Sequence, residues 1–236
     1  MWRYLVDDVH IWNLIVAARW PLYLTAISMP LAVFFGLILA LMRMSRSRFL
    51  SWPASIYIEV MRGTPLYVQL FLVYYTLPQI GVALDIDWLI LDSFPTAILC
   101  LTANYAAYEA EIHRAGLQAV DKGQREAALS IGMSERQAFF RVTLPQAFRI
   151  ILPPVINDAI AMLKDSCLAS AIGVMELLKV AEGIGKNSEV GLANMYIAAG
   201  MLYMILSLSF YFLGKFIETK LKARGCAELN LAQARH

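Results

Sequence analysis

Long apolar runs, broken at intervals by short polar stretches, set the pattern of this chain. Trp20 to Met42 and Leu192 to Gly214 contain no Asp, Glu, Lys or Arg. Each exceeds the ~20 residues that cross a hydrocarbon core of about 30 Å as a helix. Five apolar segments can be drawn, at 20–42, 54–78, 94–114, 149–175 and 193–215. The second and fourth are interrupted by ionisable residues and prolines, which lowers their hydropathy. The pattern predicts an all-α integral membrane protein with five transmembrane helices. No internal repeat, low-complexity tract or linker divides it, so 1–236 reads as a single transmembrane domain. The N-terminus does not read as a cleavable signal: Arg3 is quickly followed by Asp7 and Asp8, and the apolar run that follows is too long. Residues 227–236 read as a loose tail.

Composition supports the membrane class. Hydrophobic residues make up 59% and charged residues 16%, against about 25% charged in soluble domains; mean hydropathy is +0.59. The net charge of +2 matters less than its distribution. Arg43, Arg46 and Arg48 follow the first segment without an acid, whereas Asp85, Asp87 and Asp92 follow the second without a base. Arg114, Lys122, Arg125, Arg136, Arg141 and Arg149 crowd the connection after the third. Lys215, Lys220, Lys222 and Arg224 follow the fifth. An excess of Lys and Arg marks the cytoplasmic side, which predicts an outside N-terminus and a cytoplasmic C-terminus. Only 176–194, where Lys179 and Lys186 offset three glutamates, departs from the alternation.

The basic connection at 120–146 has its own local code. Alanine and leucine favour a short helix over Arg125 to Ile131, and Gly132 can take the left-handed conformation that ends it. Ser134 with Gln137 forms a capping-box pattern for a second helix. Phe139 and Phe140 offer apolar anchors, and Pro145 is expected to stop the run. The product is a cytoplasmic helix-turn-helix between spans three and four. It either links two spans or docks into a groove of another protein.

The spacing Glu126-Ala127-Ala128, three residues, Gly132, nine residues, Val142-Thr143-Leu144-Pro145 resembles the signature loop of bacterial ABC-import permeases. Val142 stands where isoleucine is common. The resemblance extends further: Glu59-Val60-Met61-Arg62-Gly63-Thr64-Pro65-Leu66 through Gln69 is similar to the second-span signature of the polar amino-acid uptake branch. Tyr108 through Gln118, with Gly123 and Gln124, resembles that branch's approach to the loop, and Leu163 through Leu168 its fourth-span signature, with Cys167 for a frequent serine. The resemblance implies a coupling helix at Glu126, Ala127, Ala128, Gly132 and Pro145 that sits in a cleft of a partner ATPase. It also implies a second permease subunit, identical or homologous, two ATPase subunits and an extracytoplasmic substrate-binding protein. The cargo would be a polar amino acid, and the site the bacterial cytoplasmic (inner) membrane. ATP and Mg would be bound by the ATPase, with no cofactor in this chain. No G-x-x-x-x-G-K-[ST] occurs here.

Ionisable residues inside spans cost about 2.5–3.5 kcal/mol each on insertion scales, so they should face protein. Glu59 and Arg62 sit three apart and either pair on one helix face, reach the cytoplasmic surface, or form a gate or substrate contact. Gly63-Thr64-Pro65 should kink or unwind the same helix. Pro153-Pro154, followed by Asn157 and Asp158, reads as a second interruption. Lys164 and Asp165 point about 100° apart on a helix and need separate partners: another span, a partner subunit, or substrate. Ser166 and Asn104 complete the pathway candidates, although Asn104 can equally hydrogen-bond between helices.

Other chemistries lack a constellation. Cys100, Cys167 and Cys226 show no pairing or ligand spacing, His10, His113 and His236 are scattered, and no catalytic set comes together. Neither an enzyme, a metal protein nor a nucleic-acid binder is expected. The competing readings are a permease for another small solute, such as an opine or organic ion, and a self-sufficient secondary transporter. The latter would want inverted repeats or a coupling-ion site.

Overall fold

The computed structural model describes residues 8–233, with side chains described for 10–220. The expectations for Arg3, Asp7, Cys226 and His236 therefore lie outside the described part. Every regular element among the described residues is helical. In chain order these are α1 (Asp8–Ala17), α2 (Arg19–Arg43), α3 (Arg48–Gly63), α4 (Leu66–Leu84), α5 (Ser93–Gln118), α6 (Lys122–Ser130), α7 (Glu135–Ala138), α8 (Leu144–Asp165), α9 (Leu177–Asn187) and α10 (Leu192–Gln233).

Helix α5 is the hub, packed by α2, α3, α4 and α8. Small residues Ala97, Ala106, Ala107 and Ala110 on α5 are fully or almost fully buried, as are Ala32 and Ala40 on α2. They let backbones approach closely, which membrane helices need because lipid offers no hydrophobic drive to associate. Between α2 and α5 the close approach is at Gly36, where an added Cβ would lie 2.5 Å from Glu109 Cβ and 3.1 Å from the Ala106 carbonyl. Around this pair Leu24, Leu70, Leu101 and Met162 form the main core. A second core joins α1, α9 and α10 through Leu14, Leu177, Ala181 and Met195.

Four helical stretches are long and apolar enough to cross a membrane: His10–Arg43, Leu66–Leu84, Glu135–Ile172 and Leu192–Lys220. The segment drawn at 94–114 is α5, whose 26 residues extend for about 39 Å. Its polarity has a physical reason. Asn104, Glu109 and His113 are all buried against neighbouring helices, so α5 meets protein rather than lipid and is free of the demand for an apolar surface.

The segment at 54–78 unwinds at Thr64-Pro65, as expected there, and divides into α3 and α4, with Thr64 extended (φ −120°, ψ 143°). Three other expectations need correction. Pro145 does not stop the run after α7. The chain passes through a π-helical turn, Phe139–Thr143, directly into α8, and the wider turn accommodates the ring and missing N–H of a proline in the first turn of α8. Pro153-Pro154 lies within continuous α8, a tolerance shown by membrane helices whose neighbours re-satisfy the freed carbonyls. The tail expected to be loose is helical through Gln233, consistent with its strong helix formers.

The expected helix-turn-helix does form. Gly132 has φ +86°, and Ser134 with Gln137 makes both bonds of the capping box. Arg125 on α6 pairs with Glu135 on α7 at 2.6 Å. Ala128 is buried, whereas Ile131 is 76% and Phe140 55% exposed. Helix α9, unforeseen, begins at Glu176, whose carboxylate accepts from the backbone N–H groups of Leu178 and Lys179. Farther along it, hydrogen bonds from Lys186 and Lys179 hold the Glu182 carboxyl below the usual range.

The close approach at Gly36 makes a direct test. Gly36→Ala is expected to cost about 1–3 kcal/mol through overpacking, read as a lower thermal midpoint in detergent. Gly200→Ala adds a carbon with nothing within 4 Å and should leave the midpoint unchanged or raise it. Equal midpoints for the two variants would show that the helix pair yields at Gly36.

Candidate functional site

A cavity of about 660 Å³ opens between the α3–α4 break, α5 and α8, within the range of small-molecule sites. The break supplies Arg62, Gly63, Thr64, Pro65, Leu66 and Tyr67. Helix α5 supplies Asn104, Tyr105 and Tyr108, and α8 supplies Asp158, Ala161 and Asp165. The α8 residues recur every three to four positions, so they share one face. Leu168, just beyond α8, continues it.

Both signs of charge line this space. The Arg62 guanidinium lies over the Tyr108 ring, 5.4 Å from its centroid, a cation–π contact that steadies the cation without neutralising it. Beside it, with its ring 6.1 Å from that of Tyr108, Tyr105 donates through its hydroxyl to Asp165 Oδ2 at 2.8 Å. Asp158 Oδ2 is buried and has no hydrogen-bond partner among the described residues. One cation and two carboxylates thus line the same space, and one carboxylate has an unused oxygen.

A buried amide pair holds the break. Gln69 Nε2 donates to the Met61 carbonyl at 2.9 Å, to the Thr64 carbonyl at 3.2 Å and to Thr64 Oγ1 at 2.8 Å. Asn104 Nδ2 donates to the same Met61 carbonyl at 3.1 Å and to Gln69 Oε1 at 3.0 Å. Thr64 Oγ1 in turn donates to the Val60 carbonyl at 2.8 Å. Pro65 has no N–H, so these side chains take over carbonyls the helix has released.

Of the pathway candidates, Arg62, Thr64, Asn104 and Asp165 come together here. Glu59 does not pair with Arg62. Arg43 from α2 takes it at 3.1 Å and also binds Glu111 at 2.5 Å, because α2 and α5 bring closer partners than the helix itself. Lys164 faces a separate cleft of about 610 Å³ between α8 and α10, with Asn157, Tyr203 and Ser207, away from Asp165 as the 100° step requires. Ser166 is fully buried and donates to the Leu163 carbonyl at 2.7 Å, so it lies outside the cavity lining. Glu126, Ala127, Ala128, Gly132 and Pro145 lie on the connection and do not line the cavity.

Sequence reasoning passed over Tyr105, Tyr108 and Gln69, and took Asp158 for part of a helix interruption. Two signals were available. Asp158 precedes Asp165 by seven residues, two helical turns, and Tyr108 follows Asn104 by four. Cys100 and Cys167 are free thiols. Among the described residues, no group of three or more His, Cys, Asp or Glu side chains is placed to hold a metal.

Apolar helices around a small cavity of mixed charge define a membrane transport subunit. The chain belongs to the family of binding-protein-dependent transport system inner membrane components, which it matches over residues 32–223. It is 40% identical to the L-cystine transport system permease protein TcyB of Bacillus subtilis (strain 168), over 89% of this chain and 91% of that protein. It is 37% identical to the arginine transport system permease protein ArtQ of the same organism, over 86% and 89% respectively. A crystal structure of an amino acid ABC transporter with histidines superposes with TM-score 0.81 at 39% identity, covering 88% of this chain and 94% of that one.

Asp165→Asn retains a partner for Tyr105 but removes one charge from the cavity. Transport by assembled complexes should fall at least tenfold while the folded yield is unchanged. Unaltered uptake kinetics would make Asp165 a structural residue.

Proposed function

We propose that this chain forms half of the translocation pathway of an ATP-driven importer of polar amino acids, with the cavity as its cargo site. The observation that carries this reading is that Arg62, Asp158 and Asp165 line one space of about 660 Å³. A zwitterion matches it: the carboxylate faces the guanidinium and the ammonium faces the carboxylates. The unpartnered oxygen of Asp158 favours cargo with a further cationic group, since a buried acceptor without a donor is costly. Family membership and the amino-acid relatives support the same cargo class.

In this reading the chain crosses the membrane five times, with α5 as the protein-enclosed span. The N-terminus lies outside and the basic connection and C-terminus in the cytoplasm. A second permease, identical or homologous, completes the pathway, and an extracytoplasmic binding protein delivers cargo. Two ATPase subunits bind ATP and Mg, while this chain holds no cofactor. The α6–α7 helix-turn-helix docks into the ATPase; its exposed Ile131 and Phe140, beside Gly132 and Glu126, offer the apolar contact such docking uses. ATP binding moves the connection, and the spans open outward; hydrolysis returns them for release inside.

ATP-dependent uptake into proteoliposomes tests this, with the chain, its co-purifying ATPase and binding protein, and a panel of labelled amino acids, opines and organic ions. Uptake of an amino-acid class that disappears without ATP or binding protein supports the proposal. Uptake of another solute class alone overturns the cargo, and uptake without ATP overturns the coupling. Gly132→Val is strained at φ +86°, and Glu126→Lys reverses an exposed charge. Each is expected to uncouple ATP hydrolysis from uptake while leaving insertion intact, and wild-type uptake by either would refute the docking role.

A further inference from the structure

The buried amide pair at the break has a fixed polarity, and that polarity reaches the cavity. The carbonyls of Met61 and Thr64 can only accept. Gln69 must therefore present its NH₂ to them, as it does at 2.9 and 3.2 Å. Its carbonyl oxygen Oε1 is then turned toward α5, where it can only accept. Asn104 meets it with Nδ2 at 3.0 Å and gives its second hydrogen to Met61. Both Asn104 donors are spent, and Oδ1 is left without a hydrogen bond among the described residues.

The assignment does not rest on choosing between the two ends of an amide. Turning either side chain over would set oxygen against carbonyl oxygen, or NH₂ against NH₂, in a site where Gln69 is 8% and Asn104 4% exposed. An unmatched buried polar contact of that kind is costly.

We infer that Gln69 is a positioning residue for cargo recognition: it fixes Asn104 so that the cavity receives an acceptor, Oδ1, for the ammonium of the cargo. Asn104 on α5 thereby adds an acceptor to those of Asp158 and Asp165 on α8 around the cavity, while Arg62 supplies donors. The same residue that repairs the broken helix sets which end of an amino acid the α5 wall prefers. This rests on the cavity being the cargo site.

The test uses the assembled transporter in proteoliposomes, with whichever of labelled L-arginine, L-cystine or L-glutamine it takes up. Competition by the corresponding N-acetyl amino acid, which lacks the ammonium, is measured alongside. Gln69→Met removes both donors and the acceptor at similar length. It should raise KM at least tenfold with kcat within about threefold, and reduce discrimination against the N-acetyl competitor by a similar factor. Should this variant fail to assemble, Asn104→Leu carries the test with the same expected outcome. A fall in kcat with KM and discrimination unchanged would make the amide pair purely structural and overturn the inference. Asp165→Asn separates the two levels. If it raises KM while Gln69→Met does not, the polarity relay is wrong. If neither raises KM, the cavity is not where cargo sits.

Discussion

A helix that opens inside a membrane must find new partners for the backbone groups it releases, because lipid offers none. In this protein that obligation falls at Thr64-Pro65, and much of the architecture can be read as its answer. Thr64, Gln69 and Asn104 supply the replacement donors. They can do so only because α5 runs close enough to reach across, and α5 comes that close because alanines and Gly36 line its contact with α2. The polar break, the buried polar hub and the small-residue seam are therefore one arrangement. Each would be destabilising alone.

The break also divides labour among charges that lie near one another in sequence. Glu59 and Arg62, three residues apart, go to different environments. Glu59 joins Arg43, which with Glu111 and Arg114 ties the ends of α2, α3 and α5, while Arg62 turns to Tyr108 and the cavity. Lys164 and Asp165 are separated in the same way by the turn of α8. Charge in this molecule is sorted by helix face, and neighbours in sequence become residents of different compartments.

Much of this was legible before any coordinates. Charge-free runs such as Trp20 to Met42 call for a membrane helix, because an apolar run of that length satisfies its own backbone in lipid only as a helix. Gly132, Ser134 and Gln137 encode a turn and a cap within a few residues, and such local codes survive folding unchanged. Thr64-Pro65 announced a break in the same way. What stayed hidden depends on partners distant in sequence. Nothing near Glu59 reveals that Arg43 will reach it first, and nothing near Gln69 reveals Asn104. Pro145 and Pro153-Pro154 misled for a related reason: a proline's local cost is fixed, but a π turn and packed neighbours decide whether it ends a helix. Polar α5 shows the limit of hydropathy, which measures fitness for lipid and not for a crowded interior.

The π turn at Phe139–Thr143 has a mechanical consequence. By joining α7 to α8 without a flexible link, it makes Glu135–Ile172 one continuous helical body of 38 residues, about 57 Å from end to end. The exposed Phe140 lies near one end and Asp165 toward the other, with Asp158 closer to the middle. A rod of that length tilted by about 10° around its middle displaces each end by roughly 5 Å, in opposite directions. Small rotations suffice to reshape the acidic wall of the cavity, and no bond within the rod needs to break.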